Sequence, residues 1–120
     1  MEKVVLAEDD LTMVRLLSTL LGMDGFDVTA LDPEEDVVEA VRRAQPDILI
    51  LDFLLANQSG LDVLDAIRQT EGGDRVRVVM ISGLNVRDEC LQHGADEFLL
   101  KPFMPDDLIG ALRNRSRSPS

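Results

Sequence analysis

The stretch 47–60, "DILILDFLLANQSG", decides the fold. Ile48, Leu49, Ile50 and Leu51 are apolar without alternation, and the run ends on the carboxylate Asp52. Four successive apolar, partly β-branched residues suit a strand covered on both faces, as in a parallel sheet. A second stretch repeats the pattern: "VVLAEDD" takes Val4 to Ala7 into Glu8, Asp9 and Asp10. Like charges at neighbouring strand ends repel, so a fold that gathers them needs a counterion or a use for them.

Working outward, short apolar runs alternate with amphipathic stretches. Strands are expected at about 3–8, 26–31, 47–52, 76–81 and 96–100. Val14, Leu17, Leu20 and Leu21 give one face of a first helix, ended with the help of Gly22 and Gly25. Asp32 and Pro33 read as N-cap and first residue of a second, with Val37, Val38 and Val41 inward. Leu61, Leu64, Ala66 and Ile67 mark a third, closed by Gly72-Gly73. A last one starts at Pro105 with the stripe Leu108, Ile109 and Leu112. The polar segment from Asn85 to His93 gives the weakest helical pattern. Strand alternating with helix predicts an α/β fold, a doubly wound parallel sheet with helices on both faces.

The 120 residues make one domain, expected over 1–115 with a polar tail at 116–120. The formal net charge of −11 argues against non-specific binding to nucleic acid or anionic membrane, which rewards positive charge. Arg113, Arg115 and Arg117 read as cations complementing the end of the last helix. One cysteine, Cys90, excludes an intramolecular disulfide, and no apolar run approaches a membrane span, so a cytoplasmic protein is the default. Cys90 reads as a small buried filler and His93 as a surface or capping residue.

Glu8, Asp9, Asp10, Asp52, Ser82 and Lys101 all fall at the carboxyl ends of expected strands, where open α/β sheets bind ligands. Oxygen ligands suit a small hard cation such as Mg²⁺, which Asp9 and Asp52 could hold directly and Glu8 through water. Asp52 could also accept a phosphoryl group as an aspartyl phosphate. That transfer needs positioning and charge neutralisation, which a cation, the Lys101 ammonium and the Ser82 hydroxyl would supply. Taken singly, each acid reads equally well as a helix cap or the start of a loop; together with Lys101 they read as a site.

"VVLAEDD", "ILILDFLLANQSG", "VVMISG" and "GADEFLLKPF" together resemble the receiver domain of two-component response regulators, over about residues 3–115. The resemblance implies a flavodoxin-like five-stranded sheet of order 2-1-3-4-5. It implies a Mg²⁺ site at Glu8, Asp9 and Asp52 with the Leu54 backbone carbonyl, and Asp52 as phosphoacceptor with Gly60 eight residues later. It further implies a hydroxyl at Ser82, Lys101 before a cis proline at Pro102, and Phe98 as an aromatic switch. The implied partners are a histidine kinase or histidine phosphotransfer protein and a downstream effector domain or protein. A phosphorylation-dependent dimer is compatible with it; direct nucleic-acid binding and membrane association are not expected. The chain reads either as a stand-alone regulator or as part of a longer protein.

Three departures stand out. Ala56 replaces the family's common proline four residues after the phosphoacceptor, Phe98 replaces a frequent tyrosine, and Ser82 to Gly94 is shorter than usual, so a short or irregular fourth helix is expected. Rival readings are a pseudo-receiver without phosphotransfer, against which the full acid, Ser and Lys set speaks, and a haloacid-dehalogenase-like phosphatase. The phosphatase wants a second Asp where Leu54 stands, and a cap domain that 120 residues do not accommodate. A flavodoxin-like flavin binder would want aromatic residues, and there is no Trp or Tyr.

Overall fold

The computed structural model describes residues 1–113. The expected tail at 116–120, with Arg115 and Arg117, lies outside the described residues. Five parallel strands, β1 (Lys3–Ala7), β2 (Asp27–Ala30), β3 (Ile48–Asp52), β4 (Arg77–Ser82) and β5 (Glu97–Leu100), form one sheet of order β2-β1-β3-β4-β5. The connecting helices are α1 (Leu11–Met23), α2 (Val37–Ala44), α3 (Gly60–Gln69), α4 (Arg87–Gln92) and α5 (Pro105–Arg113). Every residue of β3 is buried, as its unbroken apolar run requires.

Side-chain alternation along the strands divides the core into two layers. Val5, Leu49, Leu51, Val78 and Met80 pack with residues of α2, α3 and α4. Val4, Leu6, Ile48, Ile50, Val79 and Ile81 pack with Leu17 and Leu21 of α1 and Leu108 and Leu112 of α5. The inner strands therefore cannot slip by one residue without exchanging their two buried sets.

Helix ends depart from expectation in three places. α2 begins at Val37, not Pro33. Residues 32–35 instead close a turn, with Glu35 N–H donating to Asp32 O at 3.0 Å and Asp32 N–H to Glu35 Oε1 at 3.0 Å. Asp36 then becomes the N-cap, its carboxylate accepting from Glu39 N–H at 3.2 Å. α1 runs through Gly22, and Gly25 alone ends it at φ +96°. Phe26 N–H reaches Leu21 O and Gly25 N–H reaches Gly22 O, a Schellman closure with Phe26 and Leu21 in one apolar cluster. α3 stops at Thr70, before Gly72-Gly73; a 3₁₀ turn over Gly73–Arg75 leads into β4.

α4 has only six residues and no side-chain N-cap bond, as its shortened segment implies. Beyond Leu108 and Leu112, α5 contributes Arg113, which pairs with Asp24 and lies 5.3 Å from the Phe26 ring centroid. No helix among the described residues is long and apolar enough to cross a membrane.

Candidate functional site

The order of the sheet reverses at β1 and β3. The chain leaves β1 for β2 on one side and later adds β3 on the other, so the crevice at their carboxyl ends is the switch point. Glu8 follows β1 directly and Asp52 is the last residue of β3. Each is only 5% exposed. Lys101, just beyond β5, reaches across to both: its Nζ donates to Glu8 Oε1 at 2.8 Å and to Asp52 Oδ2 at 2.6 Å.

The second oxygen of each carboxylate is held by backbone. Glu8 Oε2 accepts from Asp10 N–H at 3.0 Å, and Asp52 Oδ1 from Leu54 N–H at 3.0 Å. Two carboxylate oxygens bonded to one ammonium lie within about 5 Å of each other, where an effective dielectric near 20 still leaves a repulsion of roughly 3 kcal/mol if both are ionised. Burial is the main force raising the Glu8 pKa, reinforced by Asp52 and opposed by Lys101. Burial pushes the Lys101 pKa down, but its bonds to Asp52 and Glu8 outweigh this and raise it, so the ammonium stays charged.

Ser82 ends β4 beside this group and is fully buried. Its Oγ accepts from Leu84 N–H at 2.9 Å, leaving the hydroxyl proton free to be donated. Lys101 N–H donates to Ser82 O at 2.7 Å, which ties the lysine's backbone to the strand carrying the serine. The Lys101–Pro102 peptide is cis. Gly60 is explained by proximity: a Cβ there would sit 2.2 Å from Asp52 O and 2.8 Å from Phe53 Cα. α3 can therefore start against the end of β3 only with glycine at that position.

Asp9 is placed differently. Its carboxylate accepts the Ala56 N–H, and Asp10, not Asp9, caps α1 by accepting from Thr12 and Met13 N–H. The sequence suggests that three acids converge; the structure gathers Glu8 and Asp52 around Lys101 and turns Asp9 to the β3–α3 loop. Among the described residues no group of three His, Cys, Asp or Glu side chains is arranged to hold a metal. The donor set nonetheless fits a hard cation. It offers oxygen only, and two buried carboxylates face a single ammonium, so negative charge stays uncompensated when both are ionised. Leu54 lies 62% exposed at the rim.

Phe98 is buried, opposite Met80 in the sheet register. Cys90 is buried as expected, and burial pushes its thiol up to about 11, away from reactivity. His93, at the C-cap of α4, lies 2.8 Å from Asp65 Oδ1 through Nδ1.

A family model described as the response regulator receiver domain matches residues 4–113. The DNA-binding response regulator MtrA of Mycobacterium tuberculosis is 29% identical over 119 residues, 97% of this chain and 51% of its own length. A probable transcriptional regulator of Guillardia theta, ycf27, is 30% identical over 115 residues, 93% of this chain and 44% of its own. The chain thus spans about half the length of the curated relatives it matches. Among solved structures, the signal receiver domain of a LuxO repressor protein from Vibrio parahaemolyticus superposes with TM-score 0.83 at 27% identity, covering 92% of this chain and 86% of that one. The receiver domain of the sensor histidine kinase PA1611 from Pseudomonas aeruginosa, solved with a magnesium ion coordinated in its active-site cleft, gives 0.77 at 29%, covering 92% and 93%. This chain belongs to the response regulator receiver domains, the signalling modules of two-component systems.

Proposed function

We propose that this receiver is a phosphorylation-controlled switch that takes a phosphoryl group on Asp52 from a histidine kinase or histidine phosphotransfer protein. One observation carries the reading: two buried carboxylates from adjacent strands share one lysine ammonium at the switch point of the sheet. An arrangement serving stability alone would be expected to balance its buried charge.

In this reading Asp52 is the nucleophile. An oxygen–phosphorus bond forms at its carboxylate as the phosphorus–nitrogen bond of the donor imidazole breaks, with the electron pair passing to that ring nitrogen. Leu54 N–H holds one carboxylate oxygen and so fixes the rotation of the group before attack. Lys101 then moves part of its charge from the Asp52 oxygen to the arriving phosphoryl oxygens, and the Ser82 hydroxyl donates to another. Glu8, Asp9, Asp52 and the Leu54 carbonyl would hold Mg²⁺, which supplies further neutralisation of the transferring oxygens.

The readout is local. Gly83, Leu84 and Asn85, exposed beyond Ser82, form the segment that a Ser82–phosphoryl contact draws inward. Phe98 on the neighbouring strand β5, already buried, is held in that position. The switch acts in the cytoplasm on a downstream effector domain or protein.

Incubation with acetyl phosphate and Mg²⁺, followed by intact mass measurement, tests the reading. An adduct of one phosphoryl group that accumulates and is lost with EDTA present during labelling is the expected result. Steady hydrolysis of the donor without an adduct would indicate a phosphatase, and no reaction at all a pseudo-receiver.

A further inference from the structure

The β3–α3 loop is tied to the site by a backbone donor that depends on which residue occupies position 56. Ala56 N–H donates to the Asp9 carboxylate across 47 positions of sequence. The loop is otherwise closed on itself by the Leu54–Ser59 bridge and by Leu55 N–H to Gln58 O at 3.3 Å. Gln58 Nε2 anchors its far side to Glu35 O at 3.0 Å. The loop therefore hangs between the turn before α2 and Asp9.

Asp9 is the one acid of the set outside the Glu8–Lys101–Asp52 group, and the Ala56 amide is what its carboxylate faces instead. A proline at 56 has no N–H and could not make this bond. We infer that the Ala56 amide is a positioning group that parks Asp9 away from the Glu8–Asp52 pair, so that Asp9 joins those carboxylates only when the 53–59 loop lets go. The inference rests on the assignment of Glu8, Asp9 and Asp52 to a divalent cation.

Two consequences follow from the geometry. Asp9 exchanges one good acceptor interaction for another, so the protein's apparent affinity for the cation is reduced by the population in which the bond is made. Releasing Ala56 also frees the middle of the loop beside Asp52, which couples the state of the acid pocket to the rim from Leu54 to Gln58. Position 56 thus sets how readily the site loads.

The test compares wild type, Ala56→Pro and Ala56→Gly by titrating MgCl₂ alone and following backbone ¹⁵N–¹H resonances, with no phosphodonor. Because a hydrogen bond to a charged group is worth more than a neutral one, Ala56→Pro should bind Mg²⁺ roughly tenfold more tightly. Ala56→Gly keeps the N–H and should stay close to wild type. In wild type, saturating Mg²⁺ should speed hydrogen exchange at the Ala56 amide, a readout that general loop stiffness would not move in that direction. A folded Ala56→Pro that binds no more tightly overturns the inference. If that variant does not fold, unchanged exchange at Ala56 under saturating Mg²⁺ overturns it equally. Failure of all three proteins to respond to Mg²⁺ is a different outcome and overturns the cation assignment together with the inference.

Discussion

The two edges of the sheet hold charge in opposite ways, half-buried at one and buried at the other. At the amino edge, Arg68 of α3 donates from Nε to Gly94 O at 3.0 Å, from Nη1 to Gly73 O at 2.8 Å and Val76 O at 2.7 Å, and from Nη2 to Gly94 O at 2.7 Å and Asp96 Oδ2 at 3.0 Å. Asp96 Oδ2 also accepts from Val78 N–H at 2.8 Å. The guanidinium pairs with a carboxylate, and its donors end on fixed acceptors from two separate stretches, 73–76 and 94–96. At the carboxyl edge, one ammonium faces two carboxylates. The first arrangement gives the carboxylate a guanidinium and pins loops together. The second is open, holding negative charge when both acids are ionised, which a cation or a phosphoryl-bound state would rearrange. A network of charged hydrogen bonds alone does not mark a site; two buried carboxylates on one ammonium do.

Arg68→Met should break the closed edge with the largest effect. It takes the Arg68 donors from the Gly73, Val76 and Gly94 carbonyls and from the Asp96 carboxylate, which keeps its bond from Val78 N–H, at a cost of about 3 kcal/mol in denaturant melts. The loss should be the same in EDTA and in Mg²⁺, since nothing at that edge is expected to bind the ion. A Mg²⁺-dependent loss would erase the distinction between the edges.

Lys101→Met attacks the open edge and should cost less in EDTA, about 1–2 kcal/mol, because the site is partly reached by water and Glu8 can take up a proton. Here Mg²⁺ should restore most of the loss by replacing the missing positive charge. Equal melts of this variant with and without Mg²⁺ would contradict the charge account.

A smaller effect sharpens it further. The Glu8 carboxyl has its pKa raised in the folded state, chiefly by burial, so folding favours its protonated form. Its contribution is fully present below the unfolded carboxyl pKa and is lost as pH rises through the folded value. Metal-free wild type should therefore lose stability relative to Glu8→Gln as pH is raised from about 4 towards neutrality. A difference between the two that is flat over that range, or that grows in favour of wild type, would place Glu8 in a balanced pair.

Much of this was legible in the residues. The apolar run of β3, unbroken from Ile48 to Leu51, announces a strand covered on both faces, and the acids, Ser82 and Lys101 stand at strand ends that the alternation of elements already locates. Asp32-Pro33 suggests the start of α2 but is an ordinary opening for a turn as well as for a helix. Asp36 followed by Glu39 carried the better cap signal. The network of Arg68 is not visible in the sequence, since a lone arginine on a helix reads as solvent-facing. Its place on the face of Leu61 and Leu64 was the available clue. The bond from Ala56 to Asp9 had no signal of its own, since a backbone N–H is common to every residue but proline; only the absence of proline left room for it.

The most direct test of the central claim is to find where the phosphoryl group goes. After acetyl phosphate and Mg²⁺, borohydride reduces an aspartyl phosphate to homoserine, and peptide mapping reads the position. Homoserine should appear at residue 52 in wild type and nowhere in Asp52→Asn, whose fold should be retained. Conversion at Asp9, or phosphate persisting on His93 in the Asp52→Asn protein, would show that the open edge of the sheet has been assigned the wrong chemistry.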